Sequence, residues 1–291
     1  SIPLSNAGSA LVGFVVSEND GMRLRKQLKK HDKIELLLRA DIRKHVGHHD
    51  VVSGIIRGAD DRQDEVWAIA HSGEPGAADN ASGVAITLEI ARLLEFMIES
   101  GKIKRPRRSI RLVNAYECYG FFGYLERVKR FQNPLAGVCI DTVGLKPMLC
   151  GGRLEWHSTI PMSAGFVDRI GEDILRSALY RHKPGYRFFR EPFVSTSDTL
   201  IGDPIFGFPC PWITTFHKSP GVGFDAYHSS ADVPGVLSSK GLETCAASMA
   251  AYLYYLANMG TNEVLELAKA EFQYHSELLK QAKTNSQIEF I

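Results

Sequence analysis

The sequence predicts an α/β protein, a three-layer αβα sandwich with a central mixed, mostly parallel sheet. Short apolar runs that are rich in strand-forming residues recur along the chain, and stretches with helical periodicity lie between them. Two of these runs end in glycine-containing turns that open a helix, as in units with parallel strands. The chain has 291 residues, of which 44% are hydrophobic, and it can therefore bury the large core that such a sandwich needs.

The predicted elements begin with two strands, over 10–16 and 34–38, which flank a basic amphipathic helix over 22–30. Further on, strands are predicted over 66–70, 109–115, 137–140, 186–189 and 212–216, and helices over 84–96, 166–180, 241–258 and 263–283. The last helix carries an apolar stripe that includes Val264, Leu267 and Phe272. This stripe fits packing on the core and packing on a partner subunit, so a homo-oligomer stays open.

The most informative segment is the glycine-rich run over 71–83, between a predicted strand and a predicted helix. It places His71 and Asp79 at the carboxyl end of a strand, where ligands gather in open α/β sheets. Gly76 and Gly83 let the backbone fold tightly enough to aim both side chains at one point. A helix cap at Asp79 and an ordinary strand-end histidine would explain the same residues. The segment alone leaves both interpretations open.

Polar residues follow other strands as well. Glu117 and Cys118 come after the strand over 109–115, and Asp141 comes directly after another apolar strand. An aspartate in that position is costly unless it is paired or bound to a cation. His228 lies in a fourth polar segment. Taken together, these four segments predict a metal site.

The order of these residues resembles the co-catalytic zinc aminopeptidase and carboxypeptidase family. Its relatives include glutamate carboxypeptidases, glutaminyl cyclases and the inactive transferrin receptor ectodomain. The resemblance covers roughly residues 48–262, and its most specific part is the segment from Gly76 to Leu94. The family's EExGxxG and final-histidine motifs resemble the stretches ECYGFFG and YHSSADVP.

The resemblance implies a zinc-dependent hydrolase of amide bonds, an aminopeptidase acting on a peptide or an aminoacyl small molecule. Glu117 falls on the family's general base, which takes a proton from water. Tyr227 falls on a tyrosine that stabilises the oxyanion, although a packed aromatic would also fit. The implied ligands of one or two zinc ions are His71, Asp79 and Asp141 for the first ion and Asp79, Cys118 and His228 for the second.

Two positions depart from the family pattern. Cys118 stands where the family has a second glutamate, and a thiolate there would favour zinc. Gly73 stands where the family has an aspartate that orients the first histidine, a loss typically worth ~10- to 100-fold in affinity or activity. Glu74 or a backbone carbonyl is the available substitute. A single-zinc cyclase and a metal-free receptor-like scaffold therefore remain alternatives, although the presence of Glu117 argues against the scaffold.

The resemblance also suggests a domain organisation. Residues 1–45 resemble the tail of a protease-associated domain, 46–262 the catalytic domain, and 263–291 form a C-terminal helix. A net charge of +1 gives no reason to expect nucleic acid as a partner. No run reaches the ~20 apolar residues that span a bilayer, so no membrane partner is expected. The five irregularly spaced cysteines favour reduced thiols and a cytoplasmic location.

Overall fold

The computed structural model describes residues 13–39, 41, 47–60, 64–117, 119–128, 134–160, 165–194, 199–203, 205, 207–216 and 225–284. The chain divides into two compact units, residues 1–47 and 48–291. The domain boundaries suggested by the sequence, at 45 and 262, stay predictions.

The first unit contains helix α1 (Glu18–Leu28), at whose start Ser17 Oγ accepts the N–H of Asp20 at 3.2 Å. The helix overlaps the predicted one and buries none of its residues. The two predicted strands of this unit are wrong over their described parts, because 13–16 and 34–38 have no strand structure. Val15 and Leu37 are fully exposed. An apolar run forms a stable strand only when neighbouring strands pair with it, and these segments pair with none of the described residues.

The second unit is built on a seven-stranded sheet in the order β1-β3-β2-β4-β7-β5-β6. The strands are β1 (Val52–Ile56), β2 (Glu65–Ser72), β3 (Ser109–Tyr116), β4 (Pro134–Ile140), β5 (Arg153–His157), β6 (Arg187–Glu191) and β7 (Trp212–Thr214). Strand β2 runs parallel to β3 and β4, β4 to β7, and β5 to β6. The pairs β1 with β3 and β5 with β7 are antiparallel. The predicted mixed, mostly parallel sheet is confirmed.

Helices cover both faces of this sheet. They are α2 (Ala81–Glu99), α3 (Tyr119–Val128), α4 (Phe166–His182), α5 (Ser239–Asn258) and α6 (Thr261–Thr284). Because successive side chains of a strand point to opposite faces, β2 contributes to two cores. Val66 and Ala68 pack in the larger core with residues of α2, α4 and α5. Trp67 and Ile69 pack in the smaller core with residues of α3. The result is the predicted three-layer αβα sandwich.

Strands β1 and β5 are absent from the sequence prediction. Strand β1 reads Val-Ser-Gly-Ile-Ile, and its first three residues are exposed at the edge of the sheet. Strand β5 has an arginine, a glutamate and a histidine among its five residues. Strand β1 shows neither a long apolar run nor a clean alternation, so pairing with β3 makes it a strand. Strand β5 does alternate between polar and apolar residues, but this pattern covers only five residues and was missed.

Helix α6 lies where a helix was predicted, and its apolar stripe is only partly covered. Leu267 packs against the larger core, and Arg169 of α4 forms an ion pair with Glu271. Val264 and Phe272 are exposed. Within the described part of the chain, no helix is long and apolar enough to cross a bilayer.

Candidate metal centre

Three of the predicted site residues reach the same edge of the sheet because of strand direction. His71 lies near the carboxyl end of β2, Glu117 follows the last residue of β3, and Asp141 follows the last residue of β4. Because β3, β2 and β4 are parallel neighbours, their carboxyl ends meet at one edge.

The loop between β2 and α2 brings Asp79 to this edge. Asn80 caps α2, since its side-chain oxygen accepts the N–H of Gly83 at 3.0 Å. The same oxygen accepts the N–H of Thr142 at 3.1 Å, and the amide nitrogen of Asn80 donates to the carbonyl of Ile140 at 3.1 Å. Asn80 therefore ties the loop to both neighbours of Asp141. The cap of α2 is made by Asn80, so the carboxylate of Asp79 is not needed for it.

Asp79 lies between two histidines. Its Oδ1 is 3.2 Å from Nε2 of His71, and its Oδ2 is 3.1 Å from Nε2 of His228. Asp141 Oδ1 is 3.4 Å from the same nitrogen of His71. Asp79 is only 5% exposed. Burial by itself would raise the pKa of Asp79, but the hydrogen bond and charge of His71 and the hydrogen bond of Glu74 lower it below its usual value. Asp79 is thus held as a carboxylate.

Among the residues that the structure describes, two groups of side chains have ligand atoms close enough to hold a metal ion. In each group the ligand atoms lie within 4.8 Å of one another, and Asp79 belongs to both. The groups are His71, Asp79 and Asp141, and Glu74, Asp79 and His228. The structure therefore brings together His71, Asp79, Asp141 and His228, as the predicted site requires. Cys118, the remaining predicted ligand, lies outside the described residues, and its role stays a prediction.

Glu74 is the acidic residue of this centre that the sequence did not single out as a ligand. Its Oε2 is 3.6 Å from Nε2 of His228. Burial, followed by the nearby charge of Asp79, raises the pKa of Glu74 to about 7. Two carboxyl groups in one small buried volume repel when both are ionised, and a bound cation would relieve that repulsion. The signal available in the sequence was an acid within the glycine-rich run.

Gly73 has a conformational reason for being glycine. Its φ is 103°, and a Cβ there would lie 2.9 Å from Cδ2 of Tyr116. An aspartate, which the related family has here, would be strained and would clash with that ring.

Next to the candidate ligands lies a cavity of about 400 Å³. Glu117 and Tyr227 line it, together with His71, Asp79 and His228. The ring of Tyr227 stacks on that of His228, with 3.7 Å between centroids, and on that of Phe216 at 4.6 Å. Burial, followed by the charges of Asp79 and Asp141, raises the pKa of Tyr227 well above its usual value. Tyr227 therefore keeps its proton and can donate a hydrogen bond into the cavity.

The same cavity is also lined by a second polar cluster, which the sequence did not predict. Glu155 Oε2 is 3.0 Å from Nε2 of His157, and Glu155 Oε1 accepts a hydrogen bond from Nε of Arg153 at 2.6 Å. The ring of His157 stacks on Trp212 with 4.4 Å between centroids. Glu155 and His157 belong to β5, so both were missed together with that strand. Glu191, at the end of β6, lines the cavity as well.

The αβα sandwich thus brings histidines and carboxylates that could hold a metal ion to the carboxyl edge of its sheet. Residues 45–118, which include His71, Asp79 and Glu117, match Peptidase family M28. No curated protein matches the chain. The family resemblance inferred from the sequence is confirmed, and the chain is similar to metallo-aminopeptidase-like hydrolases.

Solved structures show the same fold. BSAP, a zinc aminopeptidase from Bacillus subtilis, is 19% identical with a TM-score of 0.53, over 71% of this chain and 50% of that one. The aminopeptidase from Aneurinibacillus sp. strain AM-1 is 21% identical with a TM-score of 0.51, over 71% and 47%. A glutaminyl cyclase from Porphyromonas gingivalis is 22% identical with a TM-score of 0.52, over 74% and 81%. The matched part of this chain thus spans about half the length of the two aminopeptidases.

Proposed function

We propose that the chain is a zinc-dependent hydrolase of amide bonds, an aminopeptidase acting on peptides or aminoacyl compounds. The observation that carries this proposal is the buried carboxylate of Asp79, which has one oxygen beside His71 and the other beside His228. A carboxylate that bridges two ligand groups is suited to a pair of ions, with one ion in each group.

The donor atoms fit zinc. Imidazole nitrogens and carboxylate oxygens bind zinc at about 2.0–2.2 Å, so two ligand atoms of a tetrahedral site lie about 3.3 Å apart. The nitrogen–oxygen separations around Asp79 are 3.1 and 3.2 Å, and the one from His71 to Asp141 is 3.4 Å. His71, Asp79 and Asp141 would hold one ion, and Asp79, Glu74 and His228, with Cys118 as the further predicted ligand, would hold the other.

The reaction uses residues that line the cavity. When bound, zinc supplies a Lewis acid that activates water. Glu117 acts as the general base, which accepts a proton from the attacking water and passes it to the leaving amine. Tyr227 donates a hydrogen bond to the oxygen on which negative charge develops. The water oxygen bonds to the carbonyl carbon, the carbon–nitrogen bond then breaks, and the amine leaves with the proton that Glu117 held.

The charge of the cavity favours an aminopeptidase over a carboxypeptidase. Its described lining contains no lysine and no arginine. The acidic lining residues are Glu74, Asp79, Glu117, Asp141, Glu155 and Glu191. Glu155 and Glu191 are paired with Arg153, and Glu74, Asp79 and Asp141 are candidate ligands, so the preference rests on a described lining without a cation that would bind a terminal carboxylate.

The experiment is the substitution Glu117→Gln, assayed with aminoacyl anilides that have a free amino group. Removal of a general base lowers turnover by about 10²- to 10⁴-fold, and zinc content should stay at the wild-type value because Glu117 is not a ligand in the proposal. Glu126→Gln, at an exposed position of α3, is the matched control and should keep full turnover. Normal turnover of Glu117→Gln would contradict the assigned role.

A second candidate is a single-zinc cyclase. The group of Glu74, Asp79 and His228 could hold one ion without any contribution from His71, and glutaminyl cyclases share the fold. Zinc content distinguishes the candidates, because two ions per chain favour the peptidase and one favours the cyclase. A protein without zinc would support the receptor-like scaffold instead.

A further inference from the structure

Asp232 joins the two loops that carry Asp79 and His228. Its Oδ1 accepts the N–H of Ala78 at 2.8 Å, and its Oδ2 accepts the N–H of Asp79 at 3.0 Å. Its backbone carbonyl accepts the N–H of Ala77 at 3.2 Å. Three consecutive amides of the loop after β2 are therefore bound by one residue, which lies four positions after His228 in the chain.

The contact is buried and tightly packed. Asp232 is 7% exposed, and hydrogen bonds from backbone amides to a buried carboxylate are among the stronger ones in proteins. Gly76 makes the approach possible, because a Cβ at this position would lie 2.3 Å from Oδ2 of Asp232. Glycine at position 76 thus serves the contact between the loops as well as the turn.

We propose that Asp232 is a positioning residue for the metal centre, and the proposal rests on the zinc-binding function proposed above. The 3.1 Å separation between Asp79 Oδ2 and His228 Nε2 depends on two separate loops. The side chain of His228 is 54% exposed, and its ring stacks on that of Tyr227, which belongs to the same loop and therefore does not tie His228 to Asp79. The hydrogen bonds of Asp232 connect the loops directly and fix that separation. Asp232 therefore sets the affinity of the centre for zinc without touching the ion.

The test is zinc affinity, measured by competition with a chromophoric chelator, for wild type, Asp232→Asn and Asp232→Ala. Asparagine keeps one oxygen acceptor but turns an amide donor toward the other N–H, and alanine removes both acceptors. We expect affinity to fall by about 10-fold for asparagine and about 100-fold for alanine. Melting temperatures of the metal-free proteins, recorded alongside, show whether each variant is folded.

Asp168→Asn is the matched control. Asp168 is fully buried and accepts hydrogen bonds from Trp156 Nε1 at 3.0 Å and from the N–H of Thr159 at 3.3 Å, but it does not line the metal cavity. This variant should melt at a lower temperature and bind zinc as tightly as wild type. Asp232 variants that melt lower but keep wild-type zinc affinity would overturn the proposal and leave Asp232 a structural residue.

A second variant, Gly76→Ala, tests the same contact from the other loop. The added methyl group would lie 2.3 Å from Oδ2 of Asp232 and 2.3 Å from the carbonyl oxygen of Asp79, so zinc affinity should fall at least as far as it does for Asp232→Asn. Unchanged affinity of a folded Gly76→Ala protein would also overturn the proposal. If wild type itself bound no zinc, the proposed function would fail, and this inference would fail with it. If wild type binds zinc and the variants bind it equally well, the inference about Asp232 is refuted while the proposed function stands.

Discussion

The substitution Asn80→Ala should destabilise the metal-free protein by about 3 kcal/mol. Asn80 is 2% exposed, and its side chain binds the N–H groups of Gly83 and Thr142 and the carbonyl of Ile140. Alanine leaves these three groups without their partner in a buried place. Each such group costs about 1–3 kcal/mol, and partial relaxation of the loop keeps each cost near 1 kcal/mol, so the three groups together cost about 3 kcal/mol. Part of the loss is that of a helix cap, about 1 kcal/mol.

Urea unfolding of the chelated protein measures this effect, provided that the slope of the transition stays at the wild-type value. Asn258→Ala is the control, because Asn258 also bridges two backbone groups, the carbonyl of Tyr254 and the N–H of Arg107, but at the end of α5. Both variants should be less stable, and only Asn80→Ala should also weaken zinc binding. A loss for Asn80→Ala below about 1 kcal/mol would show that the three hydrogen bonds do not hold the loop.

Two further predictions concern the cavity. Tyr227→Phe should lower kcat by about 10²- to 10³-fold with little change in KM, because it removes a donor to the developing oxyanion, whereas Tyr180→Phe on the exposed face of α4 should leave both unchanged. Equal kinetics for the two variants would exclude that role of Tyr227. In the metal-free protein, Glu74→Gln should flatten the dependence of stability on pH between about 4.5 and about 7. The folded pKa of Glu74 is raised to about 7, so the folded state binds more protons there and stability falls as pH rises. Parallel stability curves for wild type and Glu74→Gln would refute this.

The central part of the fold could be predicted because local pattern and tertiary structure agree there. Strands β2, β3 and β4 contain recognisable strand patterns, and a polar residue of the site lies at the end of each strand or directly after it. The rule that parallel strands present their carboxyl ends at one edge is then sufficient to bring His71, Glu117 and Asp141 together. This prediction needs only the direction and order of the strands, not the distances between the side chains.

Other parts depended on contacts that no local pattern records. Strand β5 alternates between polar and apolar residues over only five positions, and pairing with β6 and β7 is what distinguishes it from a short loop, so Glu155 and His157 were missed. The place of Glu74 follows from the path of a loop in which Gly73 has a positive φ. Conversely, the apolar runs over 10–16 and 34–38 looked like strands, but their described residues find no partner.

In the loop after β2, the residues that stabilise the backbone differ from the residue that is the candidate metal ligand. Asn80 caps α2, and Asp232 binds the backbone N–H of Asp79, so neither task falls on the carboxylate of Asp79. Both oxygens of that carboxylate face histidines. The desolvation of Asp79 is offset by its contacts with His71 and Glu74, which are candidate ligands themselves. Under the proposed function both groups of ligands share one carboxylate, and for this reason we expect Asn80 and Asp232 to affect stability and zinc affinity while Glu117 affects turnover alone.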